Sequence, residues 1–297
     1  MTNRSSPPRR ESVPPGEFRR LLHALRTGRY TTEDRERYGS IEDWDTSRIE
    51  DMSGAFRNWT AFNSDIGKWN TARVTSMKEM FLGAATFNRD ISRWDVGQVR
   101  TMRCTFWGAA AFNQPLGTWD VSNVTNMYGM FAHTAAFDQD IEAWNTSHVT
   151  DMAYLFYAAR AFNHPLEGWD VSNVTSMYGL FNDAVSFNRP LENWDTHAVT
   201  DMGCVFSGAA SFNQPLNGWD VSQVTDMGEM FAGASAFNQP LDDWTPVAVE
   251  SVLGMFCGAA RFSQSLAAWN LPAERLAEIL DGGDDDDEDI YVDMRLS

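Results

Sequence analysis

Cysteine is scarce in this chain, with three among 297 residues, and Cys104, Cys204 and Cys257 follow no C-x-x-C or other metal spacing. So few thiols, odd in number, exclude a disulfide framework and point to a reducing compartment. Histidine is equally sparse: His23, His133, His148, His164 and His197 form no H-E-x-x-H pair and read as exposed variable positions. No run of about 18 apolar residues exists, which excludes a helical membrane span. The start, Met1 to Pro15, is polar, and the nearest apolar stretch is the broken Leu21-Leu22-His23-Ala24-Leu25. It lacks the apolar core of a signal peptide, so an intracellular location is expected, with the cell surface or secretion by a non-standard route as the alternative.

Positive charge is also in deficit: 23 Lys and Arg stand against 41 Asp and Glu, a formal net charge of -18. Nucleic-acid affinity rests on Lys and Arg displacing counterions, so nucleic acid is excluded as a partner. The imbalance is uneven. Residues 1–30 carry seven Arg against Glu11 and Glu17, whereas Asp281 and residues 284–289 are wholly acidic. Absent too are G-x-S-x-G, a P-loop and G-x-G-x-x-G, so no enzyme, catalytic residue, cofactor or metal is expected.

What the chain does have is a period. Trp recurs at 44, 69, 94, 119, 144, 169, 194, 219, 244 and 269, nine steps of 25 residues without insertion or deletion. One Phe column runs from Phe56 to Phe256 and a second from Phe62 to Phe262, leaving only Phe18 of the 19 Phe outside them. A unit of this size cannot bury a Trp, two Phe and a Met by itself. Each must lay its apolar face on its neighbours, which makes a quasi-one-dimensional rod. Cys104 and Cys204, four units apart, would be separated by roughly 19 Å at about 4.8 Å per unit, too far to pair.

Within a unit, Met227, Met230, Phe231 and Ala234 stand at i, i+3, i+4 and i+7, the spacing of one helix face. Thr225 is placed to cap that helix and Gly233 to end it. The second half, around Leu216 to Trp219, is too short and Pro-rich for a helix and reads as a short parallel strand, with an irregular coil as the competing reading. An Asn column (63, 88, 113, 163, 188, 213, 238, with Asp138 and Ser263 as substitutes) can ladder from one unit to the next. The Asp-rich column after Trp, from Asp45 to Asn270, could stack calcium ions, but its mixture with Asn and Thr fits turn capping better.

Units such as FNQPLGTWDVSNVTNMYGMF (112–131) and FNQPLNGWDVSQVTDMGEMF (212–231), with the start RYGSIEDWDTSRIEDM (37–52), carry a resemblance. They resemble the BspA-type, Listeria- and Mycoplasma-type surface-protein repeat of about 26 residues, a degenerate relative of leucine-rich repeats. The resemblance covers about residues 37–270. It implies an α/β, LRR-like right-handed solenoid with one short strand and one short helix per repeat, and a role in recognition or adhesion, with no catalytic residues. The expected organisation is a disordered arm over 1–16, an N-terminal cap over 17–43, the repeats over 44–270, a C-terminal cap helix over 271–281 and an acidic disordered tail over 282–297.

If packing fixes the core columns, specificity must lie in those that vary. Trp107 and Tyr157 share one column, Arg103, Tyr128 and Tyr178 another, and Tyr154 occupies the next along. On a helix the first two columns are i and i+4 neighbours, so these residues are expected to form one exposed patch rich in hot-spot residue types. The alternative is that the rings pack between adjacent helices. The function expected is a monomeric, non-catalytic scaffold for a protein partner of unknown identity. A surface adhesin for host protein or glycan is the alternative, and sequons such as Asn123-Val-Thr and Asn173-Val-Thr would then be glycosylated. Ice or mineral binding ranks last, because the Thr column (75, 125, 150, 175, 200, 225) is explained by capping.

Overall fold

The computed structural model describes residues 10–279. Each 25-residue step is one coil, numbered from coil 1 at Trp44 to coil 9 at Trp244. Successive coils pair in parallel and in register: Asp51 bridges Ser76, Ser76 bridges Thr101, and so on to Asp226 with Ser251. Around each bridge, alternate amides donate to the following coil. In coil 4, Met127 N–H reaches Asp151 O at 3.0 Å, Gly129 reaches Ala153 O at 2.9 Å, Phe131 reaches Leu155 O at 2.9 Å and His133 reaches Tyr157 O at 2.6 Å. The amides between them stay at home. Met130, Ala132 and Thr134 donate to the carbonyls three residues back, at 3.1 Å each. Tyr128 N–H goes to Asn126 Oδ1 at 3.0 Å. Every amide from 127 to 134 therefore has a partner, as a segment packed against a core requires.

This bonding replaces the helix expected in each repeat. Met227, Met230, Phe231 and Ala234 are all fully buried, but they lie on consecutive turns, with Glu229 at φ 53° and Gly233 at φ 67°. A positive φ at the third residue of a turn is the type II signature and cannot continue a right-handed helix. The physical reason is competition for donors: a helix would keep all its amides within the segment and leave none for the next coil. Thr225 does not cap either. Its N–H and its hydroxyl both donate to Thr200 O, at 2.8 Å and 3.0 Å.

The strand expected over Leu216–Trp219 is not formed; a turn occupies residues 217–218. Leu216 O accepts Trp219 N–H at 3.0 Å and the Trp244 indole Nε1–H at 2.8 Å, and Pro215 has no N–H to give. The indole bond recurs along the array, from Trp69 to Ile41 O at 2.8 Å to Trp269 to Leu241 O at 2.8 Å. The Asn column does ladder: Asn113 N–H donates to Asn88 Oδ1 and Asp138 N–H to Asn113 Oδ1, each at 3.0 Å.

The core is three aromatic files. Phe56 to Phe81 is 5.2 Å between ring centroids and Phe112 to Phe137 is 6.2 Å, with the rings nearly parallel. Within a coil the two Phe stack more closely, at 4.1 Å for Phe131 and Phe137. The Trp file runs beside them, as in Trp144 on Trp169 at 6.1 Å and 6°.

Both ends of the hydrogen-bond ladder are covered. Coil 1 presents carbonyls that no earlier coil can use. Helix α1, Pro15–Arg26, meets them with guanidinium donors, Arg19 to Ser53 O at 2.8 Å and Arg26 to Arg57 O at 3.0 Å. Phe18 of α1 sits edge-on to Trp69 at 5.8 Å. At the far end coil 9 presents amides. Helix α3, Ala273–Glu278, and its C-cap Ile279 supply acceptors: Gly254 N–H reaches Glu278 O at 2.9 Å and Phe256 N–H reaches Ile279 O at 3.0 Å. Covering an edge in this way blocks open-ended pairing with other chains.

Part of the segment read as a disordered arm is ordered. Ser12 bridges Asp45 in parallel, and Val13 is fully buried, so an apolar side chain with a place in the core holds residues 10–14. Residues 1–9 of that arm, and the acidic tail, lie outside the described residues.

Helix α2, Thr32–Tyr38, opens with a capping box between Thr31 and Asp34. Arg20 of α1 donates to Asp34 at 2.8 Å, and this bond, aided by the Thr31 cap, holds the Asp34 carboxyl down at about 2. A carboxyl depressed in the folded state contributes stability that is complete above its unfolded value near 4 and is lost as pH falls towards 2. We therefore expect amide exchange in α1 and α2 to accelerate across that acid window before the central coils respond. Asp34→Asn should cost about 1 kcal/mol at neutral pH, allowing for solvent screening at Arg20. An unchanged acid profile in Asp34→Asn would remove Asp34 as the cause.

Candidate functional site

The six residues singled out by column, Arg103, Trp107, Tyr128, Tyr154, Tyr157 and Tyr178, come together on the turn face of coils 3 to 6. Tyr154 is the hub: its ring centroid lies 5.6 Å from Tyr128, 5.6 Å from Tyr157 and 5.2 Å from Tyr178, each edge to face. Trp107 lies 6.4 Å from each of Tyr128, Tyr154 and Tyr157. The Arg103 guanidinium stands 3.9 Å over the Tyr128 ring, a cation–π contact. All six are half-buried, where an exposed patch was expected. Apart from Tyr154 and Tyr157 of coil 5, the rings meet across coils, because the turns remove the i, i+4 relation that a helix would have provided.

Glycine decides how the rings lie. A Cβ on Gly129 would come within 2.5 Å of the Trp107 ring, one on Gly179 within 2.9 Å of Tyr154, and one on Gly203 within 2.8 Å of Tyr178. Each ring therefore covers a glycine of the next coil, in a space that any side chain would fill. The left-handed column itself alternates, with Cys104, Gly129, Tyr154, Gly179 and Cys204 at φ 54°, 58°, 58°, 60° and 55°. Glycine adopts that conformation freely, whereas a tyrosine there is held against a steric cost.

Sequence reasoning missed four further members. His133, read as an exposed variable position, is half-buried with its ring 4.6 Å from Tyr157, edge to face, and burial lowers its pKa so that it stays neutral. Cys104 is fully buried beneath the cluster. Cys204 Sγ lies 3.5 Å from the Tyr178 hydroxyl. Gly129 could have been found by asking which column neighbours leave room for the rings.

Burial raises the other titratable groups of the cluster. Tyr154 is pushed up to about 12, and Tyr128 and Tyr178 are raised as well. The thiols of Cys104 and Cys204 are pushed up to about 12 and about 11. All of these remain protonated at neutral pH, which suits neither a nucleophile nor a base. A thiol reagent at pH 8 should therefore label Cys104 only after unfolding, whereas a stoichiometric reaction of Cys104 in the native chain would contradict this burial.

The other candidate columns have structural partners. In the column after Trp, Asp120 Oδ1 accepts Ser122 N–H at 3.0 Å and Asp95 Oδ1 accepts Gly97 N–H at 3.1 Å, so these carboxylates close turns. Among the described residues no group of three or more His, Cys, Asp or Glu is placed to hold a metal ion. The Thr hydroxyls donate one coil back, as from Thr150 to Thr125 O at 3.2 Å. The amides of Asn123 and Asn173 donate to Gly97 O and Ser147 O, at 2.7 and 2.8 Å. No described helix is long and apolar enough to cross a membrane.

Coils joined by identical hydrogen bonds and identical aromatic files define a tandem-repeat protein. The chain belongs to the family described as Mycoplasma protein of unknown function, DUF285, whose model matches residues 29–140, 111–202 and 180–282 in succession. No curated protein matches it.

Proposed function

We propose that this chain is a non-catalytic scaffold with an LRR-like solenoid architecture of BspA type, and that it holds a protein partner on the face of Arg103, Trp107, Tyr128, Tyr154, Tyr157 and Tyr178. One observation carries the reading: these rings are surplus to the core. The Phe, Trp and Met files already fill the interior of coils 3 to 6, and the ring cluster lies outside them, with Trp107, Tyr154 and Tyr178 on glycine seats. Large aromatic and Arg side chains clustered at one half-buried place are the usual anchors of protein interfaces. The phenols of the cluster and the thiols of Cys104 and Cys204, all raised by burial, support binding over catalysis.

The test is the double variant Trp107→Ala/Tyr157→Ala. Its melting curve should match the parent, and its affinity for a partner first captured with the parent chain and then purified should fall thirtyfold or more, the loss expected of hot-spot truncation. Undiminished affinity would remove the ring face from the partner site. Collapse of the fold would assign the rings to packing.

A further inference from the structure

The charges of the turn face are sorted along the array. Residues 51–60, 76–85 and 101–110 of coils 1 to 3 carry Arg57, Lys78 and Arg103 there, beside Asp51 and Glu79, and residues 151–160 of coil 5 carry Arg160 beside Asp151, whereas residues 176–185, 201–210 and 226–235 of coils 6 to 8 carry Asp183, Asp201, Asp226 and Glu229 and no Lys or Arg. The aromatic cluster, in coils 3 to 6, spans the point where Lys and Arg end on this face. On the first side the cation is already in place, with the Arg103 guanidinium over Tyr128 at 3.9 Å. Glu79, too, is paired, with Arg57 at 3.0 Å. On the other side Asp201, Asp226 and Glu229 make no ion pair among the described residues. The Asp201 carboxylate accepts Gly203 N–H at 3.1 Å and Ser176 Oγ–H at 3.3 Å, and its pKa is raised by burial and by the neighbouring Asp226.

We infer that the segment taken by this face is a cationic peptide, its arginine or lysine side chains set against Tyr154 and Tyr178 with Asp201, Asp226 and Glu229 as counter-charges. The inference rests on the partner-binding reading above and names the partner's chemistry. Tyr128 with Arg103 shows, within the chain, the contact that a partner's guanidinium would make one coil further on. Complementary charge on an acidic chain also steers such a peptide to the surface.

The full chain is titrated with fluorescein-labelled (Arg-Ala)4 amide at physiological salt, and with the isosteric, uncharged (citrulline-Ala)4 amide. The arginine peptide should bind at least tenfold tighter. Asp226→Asn/Glu229→Gln should weaken it at least tenfold, and so should Tyr154→Gly, a substitution suited to a position already at φ 58°; melting curves confirm that each variant is folded. Changing Asp284, Asp285, Asp286 and Asp287 to Asn removes more charge, yet should change affinity less than twofold. Equal binding of the citrulline peptide, or a larger loss from the tail variant than from the face variants, would overturn the inference. So would a gain in affinity on removing residues 2–9, which would give the face to this chain's own arginines. In each of these cases Trp107→Ala/Tyr157→Ala can still lose its partner, so the two readings fail separately.

Discussion

Phe131→Ala should remove about 3–5 kcal/mol of stability, the usual cost of truncating a fully buried Phe to Ala. The Phe131 ring lies 5.7 Å from Phe106, 4.1 Å from Phe137, 6.2 Å from Trp144 and 5.7 Å from Phe156, so its loss opens a void shared by three coils. The cavity has little way to collapse, since both neighbouring coils are held in register by the ladder on either side. Coils interact only with their nearest neighbours, so weakening one coil in the middle weakens two interfaces at once. Phe262, in the last coil and half-buried, has a neighbour in its own file on one side only, Phe237 at 6.0 Å. Phe262→Ala should cost about half as much or less. Urea unfolding of the two variants checks the comparison, and equal losses would show that the files do not act as a stack.

Gly129→Val should be nearly as damaging, through backbone and packing together. The residue sits at φ 58°, where a β-branched side chain costs about 1–2 kcal/mol. The added Cβ would lie 2.5 Å from the Trp107 ring, and relieving such an overlap typically costs about 1–3 kcal/mol more. The sum, about 2–5 kcal/mol, should be readable as a large fall in melting temperature. A companion change separates the two causes: Gly129→Val in a Trp107→Ala background should recover the overlap and retain only the conformational cost. If the background makes no difference, the ring does not rest on Gly129 and the seating of the cluster is wrong.

The two variants bear on what could be read in advance. The Phe, Trp and Met columns were legible because burial follows residue type, and the period was too regular to arise otherwise. The six ring-face residues were legible as a set because they interrupt columns that are otherwise uniform. Their partners His133, Cys104 and Gly129 were not, because a glycine seat or a buried histidine has no local signature: each is defined by a residue one coil away. The helix assignment failed for a related reason. Met227, Met230, Phe231 and Ala234 face one side on a helix and on a run of turns alike, so the apolar pattern cannot separate the two.

By itself, then, the sequence determined the 25-residue step, the residues that enter the core, the opposed charge of the two ends of the chain and the need for something at each end of the array. It did so because those properties depend on the identity of a side chain and its place in the period. Only the tertiary structure decided the backbone. Whether Phe131 N–H bonds back to residue 127 or forward to Leu155 is settled by a carbonyl 24 positions along the chain, presented at 2.9 Å by the neighbouring coil. That choice turns helices into stacked turns and places glycines under aromatic rings. It also leaves a carbonyl edge that Arg19 and Arg26 cover at one end and an amide edge that α3 covers at the other.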